Sequence, residues 1–247
     1  MVREIEILGV RFHDLNREEL HRKLFEFLCG ENKGYLVTPN PYMVELAMKD
    51  ECFKKVLSDA DLCIADGVGI ELACRILNKR LVCRIPGIEI GECVLSMCSE
   101  LNISVYFLGG EDGVADRAAF AMCEKYSGLQ IAGCHHGYFK NEQNDKIVEE
   151  INTGGAQVLF VCLGAPKQEK WIADNIYKLR NVRLALCLGG SLDVYSGKKT
   201  RAPLSIRRCG LEWLWRAFGS YRHLKRLYHI PVFMYHILLE TIKKNAE

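Results

Sequence analysis

No stretch of this 247-residue chain approaches the roughly 20 consecutive apolar residues that a membrane-spanning helix needs. Nor do two cysteines stand close enough for a metal knuckle or a redox pair. The twelve cysteines come no nearer than five residues, at Cys93 and Cys98. Most lie in apolar runs such as "LVCRI", "LFVCLG" and "LALCLGG", where a thiol behaves as a small hydrophobe. A secretory signal is not legible, because "MVREIEILGV" carries charges inside its apolar stretch. Short-period repeats and low-complexity linkers are missing as well. These absences argue against a helical membrane span, a disulfide framework and a repeat array. With 49% hydrophobic and 26% charged residues, the expectation is a reduced, cytoplasmic globular protein.

Charge is unevenly placed. Residues 198–226 hold nine Lys or Arg and a single acid, Glu212, so a segment of charge +8 adjoins a body of charge −6. Such a stretch can be an ordinary solvated face. Its mixture with Trp213, Trp215, Phe218, Tyr221 and Tyr228 points toward an anionic partner.

Apolar runs of strand length alternate with helix-period segments. The predicted strands are 34–38, 61–66, 80–85, 104–109, 129–134, 157–164 and 183–190; helices are predicted over 41–60, 112–128, 144–155 and 167–181. Continuous apolar strands separated by helices imply an α/β fold: a largely parallel, Rossmann-like sheet with helices on both faces. The reading divides the chain into a catalytic α/β domain (residues 1–195) and a basic helical appendage (residues 196–247). Removing the appendage is expected to leave the core folded.

Ligands of open α/β sheets bind beyond the carboxyl ends of the strands. That rule gathers Thr38-Pro39-Asn40, Asp66-Gly67, Arg84, Gly109-Gly110, His135 to Tyr138, Gly164 to Gln168, and Gly189-Gly190 with Asp193. "GGEDGVADR" (109–117) has the strand–glycine–helix setting of a phosphate loop, but it is not GxGxxG, and no acid ends the next strand to hold a ribose. A dinucleotide-dependent oxidoreductase is therefore the weaker enzymatic reading. "DAD" (59–61) precedes its strand and reads as a helix end, not as a metal-binding triad. His135 and His136 lack a third ligand at metal-site spacing. Asp66, ending "LCIAD", is either a partly desolvated general base or the N-cap of the next helix. Arg84, beside a strand end, suits an anion.

In order, "TPNPYMVELA", "IADGVGIELA", "RIPGIE", "FLGGEDGVADRA", "HHGYF", "LGAPKQEKWI" and "GGSLDVYSGKKTRAP" resemble the blocks of the WecG/TagA/CpsF glycosyltransferases, over about Thr38 to Arg226. The TagA-like members move N-acetylmannosamine from UDP onto undecaprenyl-diphosphate-linked N-acetylglucosamine, with inversion, for the wall teichoic acid linkage unit. The resemblance implies Asp66 as base, with Thr38 and Gln168 also catalytic. It implies Asn40, Arg84, Gly109, Gly110, Gly137, Tyr138, Gly164, Pro166, Lys167, Asp193, Arg216 and Arg226 around the substrates. No metal or other cofactor is implied. Relatives with the same blocks use UDP-glucose or UDP-N-acetylmannosaminuronic acid.

The implied partners are a UDP-sugar, a polyprenyl-diphosphate acceptor and the anionic inner face of the plasma membrane, and not nucleic acid. In "LEWLWRAFGSYRHLKRLYH", Leu211, Leu214, Trp215, Phe218 and Tyr221 form an apolar stripe bordered by Arg222 and Lys225, with Arg216 and Arg226 on another face. Docking of that stripe on the protein's own core or on a sister subunit, giving a homo-oligomer, is the alternative. The family usually carries an acidic-Pro pair followed by two bases here; "SYRH" replaces it, with His223 at the second base. Pro231 is expected to end this helix.

Overall fold

The computed structural model describes residues 3–208, 211–218 and 228–246. In chain order a hairpin of β1 (Glu4–Ile7) and β2 (Val10–His13) precedes α1 (Arg17–Cys29) and β3 (Gly34–Val37). Next come α2 (Pro41–Lys49), α3 (Glu51–Ser58), the two-residue β4 (Leu62–Cys63) and α4 (Val68–Ile76). They are followed by α5 (Gly87–Leu101), β5 (Ser104–Gly109), α6 (Val114–Lys125), β6 (Gln130–His135) and α7 (Asn144–Thr153). Then come β7 (Val158–Cys162), α8 (Lys167–Asn175), β8 (Leu184–Cys187) and α9 (Ser191–Tyr195). Among the described residues, α10 (Leu204–Arg208), α11 (Glu212–Phe218) and α12 (His229–Ala246) follow.

The chain forms two compact units that interleave in sequence. One comprises Met1–Asn16, Thr38–Pro86 and Arg201–Glu247; the other comprises Arg17–Val37 and Gly87–Thr200. The expected division at residue 195 is one of function, and it stands as a proposal.

The second unit holds five parallel strands in the order β3-β8-β7-β5-β6. "GYLV", "VLFVC" and "LALC" are buried at every position, as strands covered on both faces must be. Phe107 and Phe160, neighbours in register on β5 and β7, meet edge to face with ring centroids 5.2 Å apart. Between α5 and α9 the fit requires a glycine: a Cβ on Gly91 would lie 2.4 Å from the Tyr195 hydroxyl oxygen. That hydroxyl donates to the Ile88 carbonyl at 3.1 Å. The chain passes from β5 outward to β6, then crosses back to β7 on the other side of β5. This reversal is the switch point where open sheets place ligands.

In the first unit β1 and β2 pair antiparallel through Leu8-Gly9, both with positive φ (50° and 79°), the backbone of a tight hairpin. His13 on β2 accepts the Cys63 N–H through Nδ1 at 2.9 Å, which fixes β4. The helix expected over 41–60 is two helices. Asp50 ends α2 and caps α3, its Oδ1 accepting from Phe53 N–H at 3.0 Å. Asp59 is the C-cap of α3, as the helix-end reading of "DAD" required.

Residues 80–85 are not a strand. The Asp14 carboxylate takes the Val82 N–H at 2.7 Å, and Val82 is exposed, so no ladder or apolar face forms there. The strand expected over 61–66 is only two residues long, because the Asp66 N–H turns to the Pro39 carbonyl. Pro231 does not end a helix but lies in the first turn of α12, where a missing N–H costs no intrahelical bond. Removing the C-terminal segment would expose apolar surface of the first unit. α12 packs on α2 and α4, with Phe233 and Ile237 fully buried. Among the described residues no helix is long and apolar enough to cross a membrane.

Candidate active site

Two strand-to-helix corners of the first unit hold three of the expected site residues, Thr38, Asn40 and Asp66. Asn40 caps α2, its Oδ1 accepting from Met43 N–H at 3.2 Å, and Pro41 is the first residue of the helix. Gly67, with φ +88°, is the N-cap of α4 and supplies no side-chain cap. Asp66 stands one residue before that cap. The corners are tied together. Asp66 N–H donates to the Pro39 carbonyl at 3.1 Å, and a Cβ on Gly69 would meet Pro41 Cγ at 2.5 Å. Thr38, 8% exposed, and Asn40 are thus brought next to Asp66 by backbone contact. Arg84 is half-buried, its Nε 3.7 Å from Glu71 Oε2 on α4; Glu71 also holds Arg75 at 2.6 Å.

In the second unit the carboxyl ends of β5, β6 and β7 converge. Gly137 N–H donates to the Gly110 carbonyl at 2.8 Å, and a Cβ on Gly137 would sit 3.2 Å from Gly109 Cα. Gly109 is still tighter, since a Cβ there would meet the Cys162 carbonyl oxygen at 2.3 Å. Lys167, opening α8 after Pro166, donates to the Gly137 carbonyl at 3.0 Å and lies 4.3 Å from the centre of the Phe139 ring. Partial burial pulls its ammonium below the ordinary lysine range. Tyr138 beside it is 63% exposed, a ring open to a planar ligand. Asp193 on α9 pairs with Lys199 at 2.5 Å.

Gln168 is not on the surface of this constellation. It is 3% exposed; its Oε1 accepts from Gly164 N–H at 3.1 Å and Gly189 N–H at 3.0 Å, and its Nε2 donates to Glu169 Oε1 at 2.6 Å. Of the appendage residues, the Arg216 side chain, and Arg222, His223, Lys225 and Arg226 altogether, lie outside the described residues.

Sequence reasoning missed Glu71, the fully buried Glu169, and a buried glutamate on α2. Glu45, 2% exposed, receives Lys49 Nζ at 2.6 Å and lies 2.6 Å from His229 Nδ1 on α12. Nothing in "VELAMK" or "KQEK" marks its glutamate as buried, because the residues that cover each come from distant parts of the chain.

A cavity of about 430 Å³ opens at the opposite, amino ends of the strands, lined by Lys33, Gln157, Arg180 and Arg183. Its cations already serve helix ends: Lys33 donates to the Leu179 carbonyl, and Arg183 to the Leu28 carbonyl. Among the described residues, no three His, Cys, Asp or Glu gather as metal ligands, and the eleven described cysteines are all free thiols.

The sequence matches the Glycosyl transferase WecG/TagA/CpsF family over residues 5–247. It is 32% identical over 236 residues to the N-acetylglucosaminyldiphosphoundecaprenol N-acetyl-beta-D-mannosaminyltransferases of Staphylococcus aureus strains MRSA252 and MW2, covering 95% of this chain and 92% of each relative. A dinucleotide-dependent oxidoreductase does not accord with that match. The protein is a glycosyltransferase, and the chain belongs to the WecG/TagA/CpsF family.

Proposed function

We propose that the protein transfers N-acetylmannosamine from UDP-N-acetylmannosamine to undecaprenyl-diphosphate-linked N-acetylglucosamine, inverting the anomeric carbon and using no metal. The similarity to the two staphylococcal enzymes supports the choice of substrates. The observation that carries the chemistry is the tie between Asp66 N–H and the Pro39 carbonyl, which joins a carboxylate to the Thr38–Asn40 corner. In a single displacement the acceptor hydroxyl oxygen bonds to the anomeric carbon, and its proton passes to Asp66. The bond from that carbon to the diphosphate oxygen breaks, and its electron pair leaves with UDP. Arg84 of the first unit, or Lys167 and the amides of the Gly109-Gly110 and Gly164 turns of the second, offset the charge on the departing diphosphate. Tyr138 and Asp193 serve the nucleoside, and Arg216 and Arg226 the diphosphates. A wall teichoic acid linkage unit or a related surface polysaccharide is the product.

The acceptor is lipid-linked, so the enzyme works at a membrane surface, on its inner face. Support comes from the outward side of α12, where Tyr235, Leu238 and Ile242 are exposed at helical spacing, and from exposed Trp213 and Trp215 on α11. The test is transfer from a panel of UDP-sugars to a polyprenyl-diphosphate N-acetylglucosamine, with and without EDTA. UDP-N-acetylmannosamine should be used best and EDTA should leave the rate unchanged. Preference for UDP-glucose or UDP-N-acetylmannosaminuronic acid would reassign the donor. A rate lost to EDTA and restored by Mg²⁺ or Mn²⁺ would end metal independence.

A further inference from the structure

Gln168 and Glu169 are adjacent in sequence, open α8, and are both buried, Glu169 completely. A glutamine amide has one end that accepts and one that donates, and the two differ only by a half-turn of the group. Here the accepting end meets two backbone donors, Gly164 N–H at the end of the β7 loop and Gly189 N–H at the end of the β8 loop. The donating end meets the Glu169 carboxylate at 2.6 Å. A half-turn would set NH₂ against two N–H donors and a carbonyl oxygen against a carboxylate. The carboxylate, which only accepts, therefore fixes which way the amide points. Both glycines have positive φ (79° and 47°) and open space where a side chain would be.

We propose that Gln168 and Glu169 are positioning residues: a buried carboxylate–carboxamide brace that locks the β7 and β8 loops in register at the sheet's ligand-binding edge. The pair acts on the reaction through those loops and does not touch the substrate. The brace rests on the proposed transfer reaction only for its activity readout.

The polarity of the brace makes it testable by exchange. Gln168→Glu places two carboxylates at hydrogen-bond distance and should lower turnover about 10- to 100-fold, as expected when misplaced loops leave buried donors unsatisfied. The double variant Gln168→Glu with Glu169→Gln rebuilds the same bonds: residue 168 accepts both amides, and residue 169 donates to it. Its turnover should return to within about 3-fold of wild type. Glu169→Gln alone keeps an acceptor and should fall between the two. A second readout, amide hydrogen exchange at Gly164 and Gly189 in the full chain, needs no substrate. Protection should drop in Gln168→Glu and return in the exchanged pair. Recovery of protection without recovery of turnover would mean that the Gln168 amide touches substrate, and would overturn the proposal. Wild-type turnover in Gln168→Glu, or no recovery of protection in the exchanged pair, would overturn it equally. Failure of the wild-type enzyme on every UDP-sugar would count against the proposed reaction and leave the exchange result to decide the brace.

Discussion

At the carboxyl ends of β7 and β8 a buried side chain crosses between two loops; at the corners before α2 and α4, backbone meets backbone. The second unit holds its ligand edge with side-chain bonds over a five-stranded sheet whose central strands are buried throughout. The first unit has a two-residue strand, and its corners are joined by a peptide hydrogen bond and by a proline lying against a glycine. What steadies α2 and α4 is α12, reaching them from the far end of the sequence. Two ways of fixing a reactive corner thus coexist in one chain. One is built in locally, and the other is supplied by the C-terminal segment.

Removing residues 229–247 should break the comparison most visibly. Phe233 and Ile237 leave the core, each costing about 1.5–3 kcal/mol of burial. Hydrogen exchange should show α2 and α4 losing protection while β5, β7 and β8 keep theirs, and transfer activity should vanish. Equal loss in both sets of elements would show that the units do not differ in this way. Gly69→Ala is the next largest. Its Cβ would overlap Pro41, and overpacking of this kind costs about 1–3 kcal/mol. Thermal unfolding should record that loss, with a fall in turnover as the Asp66 and Asn40 corners separate; unchanged turnover would make the contact incidental.

A smaller effect comes from pH, and only the first unit should show it. Burial holds His13 below the ordinary 6.5, against the opposing pull of Glu4, and its Nδ1 accepts the Cys63 N–H. The fold favours the neutral ring, so this stabilisation is complete above pH 6.5 and declines as pH falls toward the lower folded value. For Glu45, burial pushes the carboxyl up, but hydrogen bonds from Lys49 and His229 outweigh it and bring the group below 4.5. Its contribution is present above pH 4.5 and is lost as pH falls through the folded value. Denaturant titrations from pH 7.5 down to about 3 should therefore lose stability in two steps. His13→Gln should remove the upper one; its persistence in that variant would assign it elsewhere.

Much of the fold was legible in the sequence. Runs such as "VLFVC" and "LALC" need both faces covered, so the parallel sheet followed from composition alone. The site residues emerged from the turns just past the carboxyl end of each strand, and the structure ties Thr38–Asn40 to Asp66 by adjacent backbone. Some local signals were present but unread. "EIEILGVRFH" alternates strictly about Leu8-Gly9, the mark of a hairpin, and "REELHRKLFEFL" places Leu20, Leu24 and Leu28 on one face. Other features had no local signal. The stretch 80–85 resembled a strand by its apolar letters, but its backbone is claimed by Asp14, 68 residues from Val82. That Gln168 points inward depends on Gly189, 21 residues on, a contact no motif encodes.

The most direct test is Asp66→Asn, measured beside wild type for transfer of N-acetylmannosamine and for UDP affinity. With the base removed and the corner's backbone bond intact, turnover should fall roughly 10²- to 10⁴-fold while UDP affinity stays within a few-fold. Near-wild-type turnover would contradict the assignment, leaving Asp66 as a structural residue beside a base that lies elsewhere.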